Sequence, residues 1–191
     1  MMHKMIFSDI VLASKSPRRA ELLKKHGVDF SVFVPQCEEL TSCDDLKCLP
    51  ELNAVRKAAA AADIFPQKTV IGADTVILFE NTVIGKPENL EHAVQILLKL
   101  AGKKHQVVSG CAVICRNKNI CHSFSCVSEV VFKNLSEAQI RKYISEVNVL
   151  DKAGAYAIQE HGDDIIKSFS GSLENIIGLP VCELCEFLKN I

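Results

Sequence analysis

Leu12-Ala13-Ser14-Lys15-Ser16-Pro17-Arg18-Arg19 decides the architecture, because it reads as a strand running directly into a helix. Ser16 suits an N-cap, and Pro17 suits the first helical turn, where no amide hydrogen is missed. Arg18 and Arg19 then stand beside unsatisfied backbone N–H groups at the positive end of the helix dipole. That is a concentrated anion site, and phosphate is its obvious guest. Taken alone, the stretch also fits a capped helix carrying two solvated arginines.

Working outward, Val11–Ser14 reads as a strand and Pro17–His26 as a helix closed by Gly27. Phe30–Val34 alternates as a second strand, and Pro35–Pro50 reads as an acidic loop. Leu52–Asp63 is an alanine-rich helix. Lys68–Phe79 is an apolar, β-branched run and hence a buried strand, followed by a turn at Glu80-Asn81 and a short strand over Thr82–Ile84. Asn89–Leu100 is amphipathic and ends at Gly102. His105–Arg116 and Ile120–Phe132 read as long strands joined at Asn117-Lys118-Asn119. Ser136-x-x-Gln139 is a capping box with Leu135 and Ile140 placed as a hydrophobic staple, opening a helix to about Val147. Short strands are expected at Ala155–Gln159 and Asp164–Phe169, and Pro180 opens a last helix. Helices intermixed with hairpin-like strands predict an α/β fold with a mixed sheet rather than a purely parallel one, as a single domain over 1–191.

The chain has 191 residues, 48% hydrophobic and 24% charged, with a formal net charge of -1. This is an ordinary globular composition, and it argues against a broad electrostatic grip on nucleic acid. No window reaches the ~20 apolar residues that cross a bilayer, so no membrane partner is expected. The start, MMHKMIFSDIVLAS, lacks the layout of an export signal, and a cytoplasmic location follows as the expectation. Nine cysteines then read as reduced thiols serving as small buried hydrophobes. Cys182-x-x-Cys185 has no second pair to complete a zinc site.

Asp74 interrupts the buried strand in Val70-Ile71-Gly72-Ala73-Asp74-Thr75-Val76-Ile77. A carboxylate there is costly unless it is paired, hydrogen-bonded or bound to a cation. Lys86 sits between Gly85 and Pro87, on a short leash beyond the hairpin. Lys57, on the alanine-rich helix, reads from its surroundings as a solvated lysine. Asp151-Lys152-Ala153-Gly154-Ala155-Tyr156-Ala157-Ile158-Gln159 joins a charged pair to an apolar run ending in an amide. Together these features suit a ligand rich in negative charge, and Asp74, Glu38 and Glu39 offer hard oxygen ligands for a divalent cation, Mg2+ or Mn2+. No phosphate-binding G-x-x-x-x-G-K-[ST] loop, dinucleotide G-x-G-x-x-G, zinc H-E-x-x-H or nucleophile elbow is present.

The ordered motifs LASKSPRR, RKA, GADTV, GKP, HQVVSG, DKAGAYAIQ and IIGLP, spread from Ile10 to Pro180, resemble those of the Maf proteins, a family of nucleoside triphosphate pyrophosphatases. The resemblance implies a curved mixed sheet flanked by helices, in two lobes with a central cleft, similar to inosine triphosphate pyrophosphatase. It implies hydrolysis of a nucleoside triphosphate to the monophosphate and pyrophosphate with a divalent metal, and it is compatible with a homodimer. It puts a proton-accepting role on Asp74; read from the residues themselves, Asp74 could instead hold the metal, and Lys57 and Lys86, with Arg18, form a basic set around it that would neutralise the triphosphate and stabilise the leaving pyrophosphate. Substrate contacts fall on Ser14, Ser16, Arg18, Arg19, Thr75, Lys152 and Gln159, with Arg18, Thr75 and Gln159 tied to substrate choice. A Maf subgroup acting on methylated GTP carries a tryptophan inside the SPRR region and lacks the YAIQ glutamine; this chain has no tryptophan and resembles the branch acting on dTTP and UTP. Glu160 departs from the glycine often found after that glutamine, and Ser109 from the common threonine. The rival reading is a nucleotide-binding, non-enzymatic regulator of cell division; among enzymes, the rival is a phosphatase releasing inorganic phosphate.

Overall fold

A computed structural model describes residues 9–191; the reading of Met1–Ser8 as lacking an export signal lies outside the described residues. Seven strands form one mixed sheet: β1 (Ile10–Ala13), β2 (Phe30–Val32), β3 (Thr69–Phe79), β4 (Thr82–Ile84), β5 (Lys104–Cys115), β6 (Ile120–Phe132) and β7 (Ile166–Ser170). The hydrogen-bonded order is β2-β1-β3-β5-β6-β7, with β4 also paired to β3. β1 is parallel to both β2 and β3, whereas β3 with β4 and β6 with β7 are antiparallel. The helices are α1 (Pro17–Lys25), α2 (Leu49–Ile64), α3 (Leu90–Leu100), α4 (Glu137–Glu146), α5 (Gly162–Ile165), α6 (Leu173–Ile177) and α7 (Val181–Leu188). The mixed α/β expectation is met.

The chain divides into two compact units. The first comprises Met1–Asp74, Ser109–Cys126 and Gly178–Ile191; the second comprises Thr75–Val108 and Val127–Ile177. Thus β3, β5 and β6 each contribute residues to both.

In the first unit, the core is built from small residues. Ala54, Ala58, Ala61 and Ala62 of α2 are fully buried with Val11, Ala13, Val70 and Ala112. The sheet meets this helix at two glycines. A Cβ on Gly72 would lie 2.2 Å from the Ala54 carbonyl oxygen, and one on Gly110 would lie 2.2 Å from the Glu51 nitrogen. No side chain separates backbone from backbone at these points, so α2 rests directly on β3 and β5. The alanines that read as plain helix formers are therefore also a packing surface.

The second unit has a larger-grained core: Phe79, Leu97, Leu100, Phe132, Ile140, Tyr143 and Tyr156, among others, pack together. Its local signals are obeyed closely. Glu80 and Asn81 take left-handed φ values of 48° and 59°, and Phe79 pairs with Thr82 across them, a two-residue hairpin turn whose twist matches its strands. Asn89 caps α3 by accepting from the His92 N–H at 2.8 Å. The capping box of Ser136 and Gln139 forms in both directions, and Leu135 packs in the cluster that holds Ile140.

Several expectations are corrected. Ala155–Gln159 is not a strand: Ala153–Ala155 forms a 3-10 turn in which Gly154 and Ala155 have positive φ, 71° and 60°. The chain is thereby turned out of extended geometry, and Ala157 finds its backbone partner in a side chain, donating to the Tyr143 hydroxyl oxygen at 3.1 Å. The segment expected as a strand over Asp164–Phe169 begins as α5, after a left-handed His161, and turns extended only at Ile166. The helix α2 begins at Leu49, with Pro50 inside its first turn, rather than at Leu52. Three cysteines, Cys111, Cys115 and Cys185, are buried as expected; Cys48, Cys121 and Cys182 are exposed instead. No helix among the described residues is long and apolar enough to cross a membrane.

Candidate active site

The first unit gathers the charged residues around the end of β1 and the middle of β3. Ser16 occupies the N-cap position of α1 with extended backbone angles, but its side chain makes no capping bond, so the capping expectation is corrected. Ser14 organises the turn instead. Its buried hydroxyl oxygen accepts from the Ser16 N–H at 3.2 Å and from Arg19 Nη1 at 3.0 Å. Arg19 also donates to the Ala73 carbonyl at 2.9 Å and, through Nε, to the Gly178 carbonyl at 2.8 Å. One guanidinium thus ties the β1–α1 turn to the residue before Asp74 and to the chain entering α7. Burial draws the Arg19 guanidinium below its usual range, and the nearby Asp74 carboxylate opposes that shift. Arg18, one position earlier in the first turn of α1, is half-buried.

Asp74 is buried on β3, and both of its oxygens are engaged. Oδ1 accepts from Lys57 Nζ at 2.7 Å and Oδ2 from Asn53 Nδ2 at 3.3 Å. The Lys57 side chain is only 12% exposed, so it is not the solvated lysine its alanine neighbours suggested. Its ammonium also pairs with Glu39 at 2.9 Å, where the carboxylate is 56% exposed. Burial of the pair raises the stakes of each contact, since a lone ion at this depth would be strongly destabilising.

Asn53 was missed by the sequence reading. Its amide nitrogen also donates to the Leu40 carbonyl at 3.0 Å, and its oxygen accepts from the Leu40 N–H at 2.7 Å. It therefore staples the acidic loop, beside Glu39, to α2 while presenting an N–H to Asp74. The available signal was helical spacing: Asn53 and Lys57 are four apart and share a face.

Of the expected metal ligands, Asp74 and Glu39 converge on the Lys57 ammonium, whereas Glu38 is anchored through its backbone oxygen, which accepts from Arg56 Nε at 3.0 Å. The three carboxylates do not form a group with all ligand atoms within 4.8 Å; among the described residues that occurs only at the exposed Glu146, His161 and Asp164 of the second unit. The donor set nevertheless fits a hard divalent cation. Two carboxylates already face one cationic atom, and Mg2+ commonly uses one or two carboxylates with phosphate oxygens completing its shell.

The remaining candidates belong to the second unit. Thr75 follows Asp74 on β3. Lys86 is exposed just beyond β4, with no ion pair among the described residues. The backbone beside it is held where the Gly154 N–H donates to the Gly85 carbonyl at 2.9 Å. Lys152 is buried, and its ammonium is directed at the Asn148 carbonyl, Asp151 and Glu160. Gln159 is exposed, and its side-chain amide has no hydrogen-bond partner among the described residues.

This arrangement, an anchored basic turn next to a buried acid held by a lysine, brings the SPRR motif and the Asp74 of GADTV together in the first unit. A model of the Maf-like protein family matches residues 9–191. The chain belongs to the Maf-like proteins. A dTTP/UTP pyrophosphatase of Akkermansia muciniphila is 43% identical over 185 residues, covering 95% of this chain and 96% of the relative. One of Desulforamulus reducens is 42% identical over 184 residues, covering 94% and 95%. Among solved structures, the Staphylococcus aureus Ham1 protein aligns with a TM-score of 0.56 at 20% identity, covering 95% of this Maf-like chain and 98% of that one, which shows a shared fold.

Proposed function

We propose that this Maf-like protein is a nucleoside triphosphate pyrophosphatase acting on dTTP and UTP. The observation that carries the reading is the buried Asp74 held by Lys57 and Asn53, one residue from the carbonyl gripped by Arg19. The names of relatives near 40% identity over almost the whole chain support hydrolysis over binding alone.

In the proposed reaction, a water oxygen forms a bond to the α-phosphorus. The bond from that phosphorus to the bridging oxygen breaks, and pyrophosphate leaves with the electron pair. The water proton passes to solvent by way of a base. Asp74 serves as that base or holds the cation; its ammonium partner, 2.7 Å away, orients it in either role. A divalent cation, Mg2+ or Mn2+, would be held by Asp74 and Glu39 and would supply charge neutralisation to the phosphoryl oxygens. Arg18, Lys57 and Lys86 are the proposed partners of the triphosphate, and Ser14, Ser16 and Arg19 shape the turn that receives it. Thr75 and Gln159 are assigned to substrate choice. The exposed amide of Gln159 offers one donor and one acceptor edge. Uracil and thymine match it with a carbonyl and an N3–H, and cytosine lacks that N–H.

A nucleotide panel assayed with and without Mg2+ or Mn2+, scored for both pyrophosphate and phosphate, tests this reading. Metal-dependent pyrophosphate release from dTTP and UTP is the expected result. Binding without turnover would favour the regulator, and phosphate release would favour a phosphatase.

A further inference from the structure

Gln159 lies in a stretch with no strand ladder to hold it. Residues 156–160 follow the 3-10 turn and make no regular strand pairing. Their position is set by two side-chain clamps instead. Upstream, the Tyr143 hydroxyl accepts from the Ala157 N–H at 3.1 Å and lies 3.4 Å from the Ala157 carbonyl, to which it donates. Downstream, Glu160 Oε1 lies 3.3 Å from Lys152 Nζ.

The downstream clamp has the geometry of a designed anchor. The Lys152 side chain is only 5% exposed. An ammonium has three N–H donors, and three oxygens face this one: the Asn148 carbonyl at 2.5 Å, Asp151 Oδ1 at 2.9 Å and Glu160 Oε1 at 3.3 Å. The ammonium is thus committed within the unit rather than offered to a ligand. Asp151 already neutralises Lys152 from the adjacent position, so Glu160 is not needed to balance the charge. What Glu160 adds is a tether from beyond Gln159 back to a fixed point. Both carboxylates are nearly half exposed, 44% for Asp151 and 43% for Glu160. Losing Glu160 still leaves the Lys152 ammonium paired with Asp151 and the Asn148 carbonyl, so the tether acts on position more than on global stability.

We infer that Glu160 and Lys152 form a positioning pair that fixes the Gln159 amide for pyrimidine discrimination, with Lys152 acting through Glu160 rather than on the nucleotide. This rests on the reading that Gln159 recognises the base. An amide that selects by hydrogen bonding discriminates only while its direction is held, because a misdirected donor pays the cost of being unpaired for the right base as well as the wrong one.

The test is the ratio of kcat/KM for UTP to that for CTP in the full chain, with thermal midpoints measured in parallel. Glu160→Ala is expected to lower the ratio about tenfold, with KM for UTP rising more than kcat falls. Glu160→Gln keeps an oxygen acceptor for Lys152 and is expected to retain most of the ratio. Gln159→Ala is expected to abolish it. A ratio unchanged in Glu160→Ala while Gln159→Ala collapses it would overturn the positioning role and leave base reading intact. A ratio unchanged in Gln159→Ala, or absent from the parent enzyme, would overturn base reading and this inference with it. Should the alanine variant fail to fold, Glu160→Asp, one methylene short of Lys152, takes its place: an intermediate ratio supports the tether, and an unaltered one overturns it.

Discussion

The two units hold their buried ions by opposite means. In the first, the partners of Asp74 come from α2, 17 and 21 positions away, and Arg19 reaches the neighbouring Ala73 across 54. In the second, Lys152 is satisfied by oxygens from its own short stretch of chain. The first arrangement exists only because α2 seats on two glycines of the sheet; the second is a property of a turn. The carboxylate proposed for chemistry is thus held by long-range packing that fixes its surroundings, whereas the lysine proposed to anchor a segment needs only local bonds.

Replacing Asp74 by Asn should break the contrast most severely. Shape survives, and the one remaining oxygen can accept from Lys57 or from Asn53 but not from both; turnover is expected to fall about 1,000-fold while nucleotide binding persists, and near-normal kcat would make this carboxylate as structural as the Lys152 cluster. Lys57→Met and Lys152→Met compare the two modes directly. The former strands a buried carboxylate and should cost about 3 kcal/mol in denaturant unfolding. The latter leaves two carboxylates free to hydrate and should cost about 1 kcal/mol. Equal losses would erase the distinction.

Acid sharpens the comparison from the second unit. His105 is buried, with Nε2 at 2.8 Å from the Tyr156 hydroxyl, Phe132 and Tyr156 packed edge-on, and Nδ1 without a hydrogen-bond partner among the described residues. Burial holds its imidazole down to about 4. The unfolded chain takes up that proton near pH ~6.5, so this contribution is intact above ~6.5 and is lost as pH falls toward the folded value, by at most about 3 kcal/mol. Thermal midpoints between pH 7 and 4 should show the decline, and His105→Gln should flatten it. Gly72→Ala is the mildest change chemically. Its methyl group would press on the Ala54 carbonyl, lifting α2 with an overpacking cost of about 2 kcal/mol. Activity should fall more than stability suggests, because Lys57 and Asn53 move with the helix; kcat measured well below the unfolding transition checks this.

Local rules made much of this molecule legible. The Glu80-Asn81 hairpin, the Ser136 capping box and the Asn89 cap all follow from short-range backbone chemistry, and they appear where the residues place them. Ala155–Gln159 misled because an apolar run resembles a strand, while the positive φ of Ala155 and the Tyr143 clamp depend on packing that no window of sequence contains. Lys57 misled for the same reason. On a helix of alanines it looked solvated, and only the seating of that helix on Gly72 and Gly110 turns it inward.

By itself, then, the sequence determined the mixed α/β class, most element positions and the family, since these depend on periodicity, capping and motif order. It also singled out Asp74, because a charge in an apolar strand is anomalous wherever it occurs. The tertiary structure alone decided what holds that charge. Asn53, Lys57, Glu39 and the Arg19 girder become its surroundings only when helix and sheet close to backbone contact, and that approach is a matter of steric fit between residues far apart in the chain.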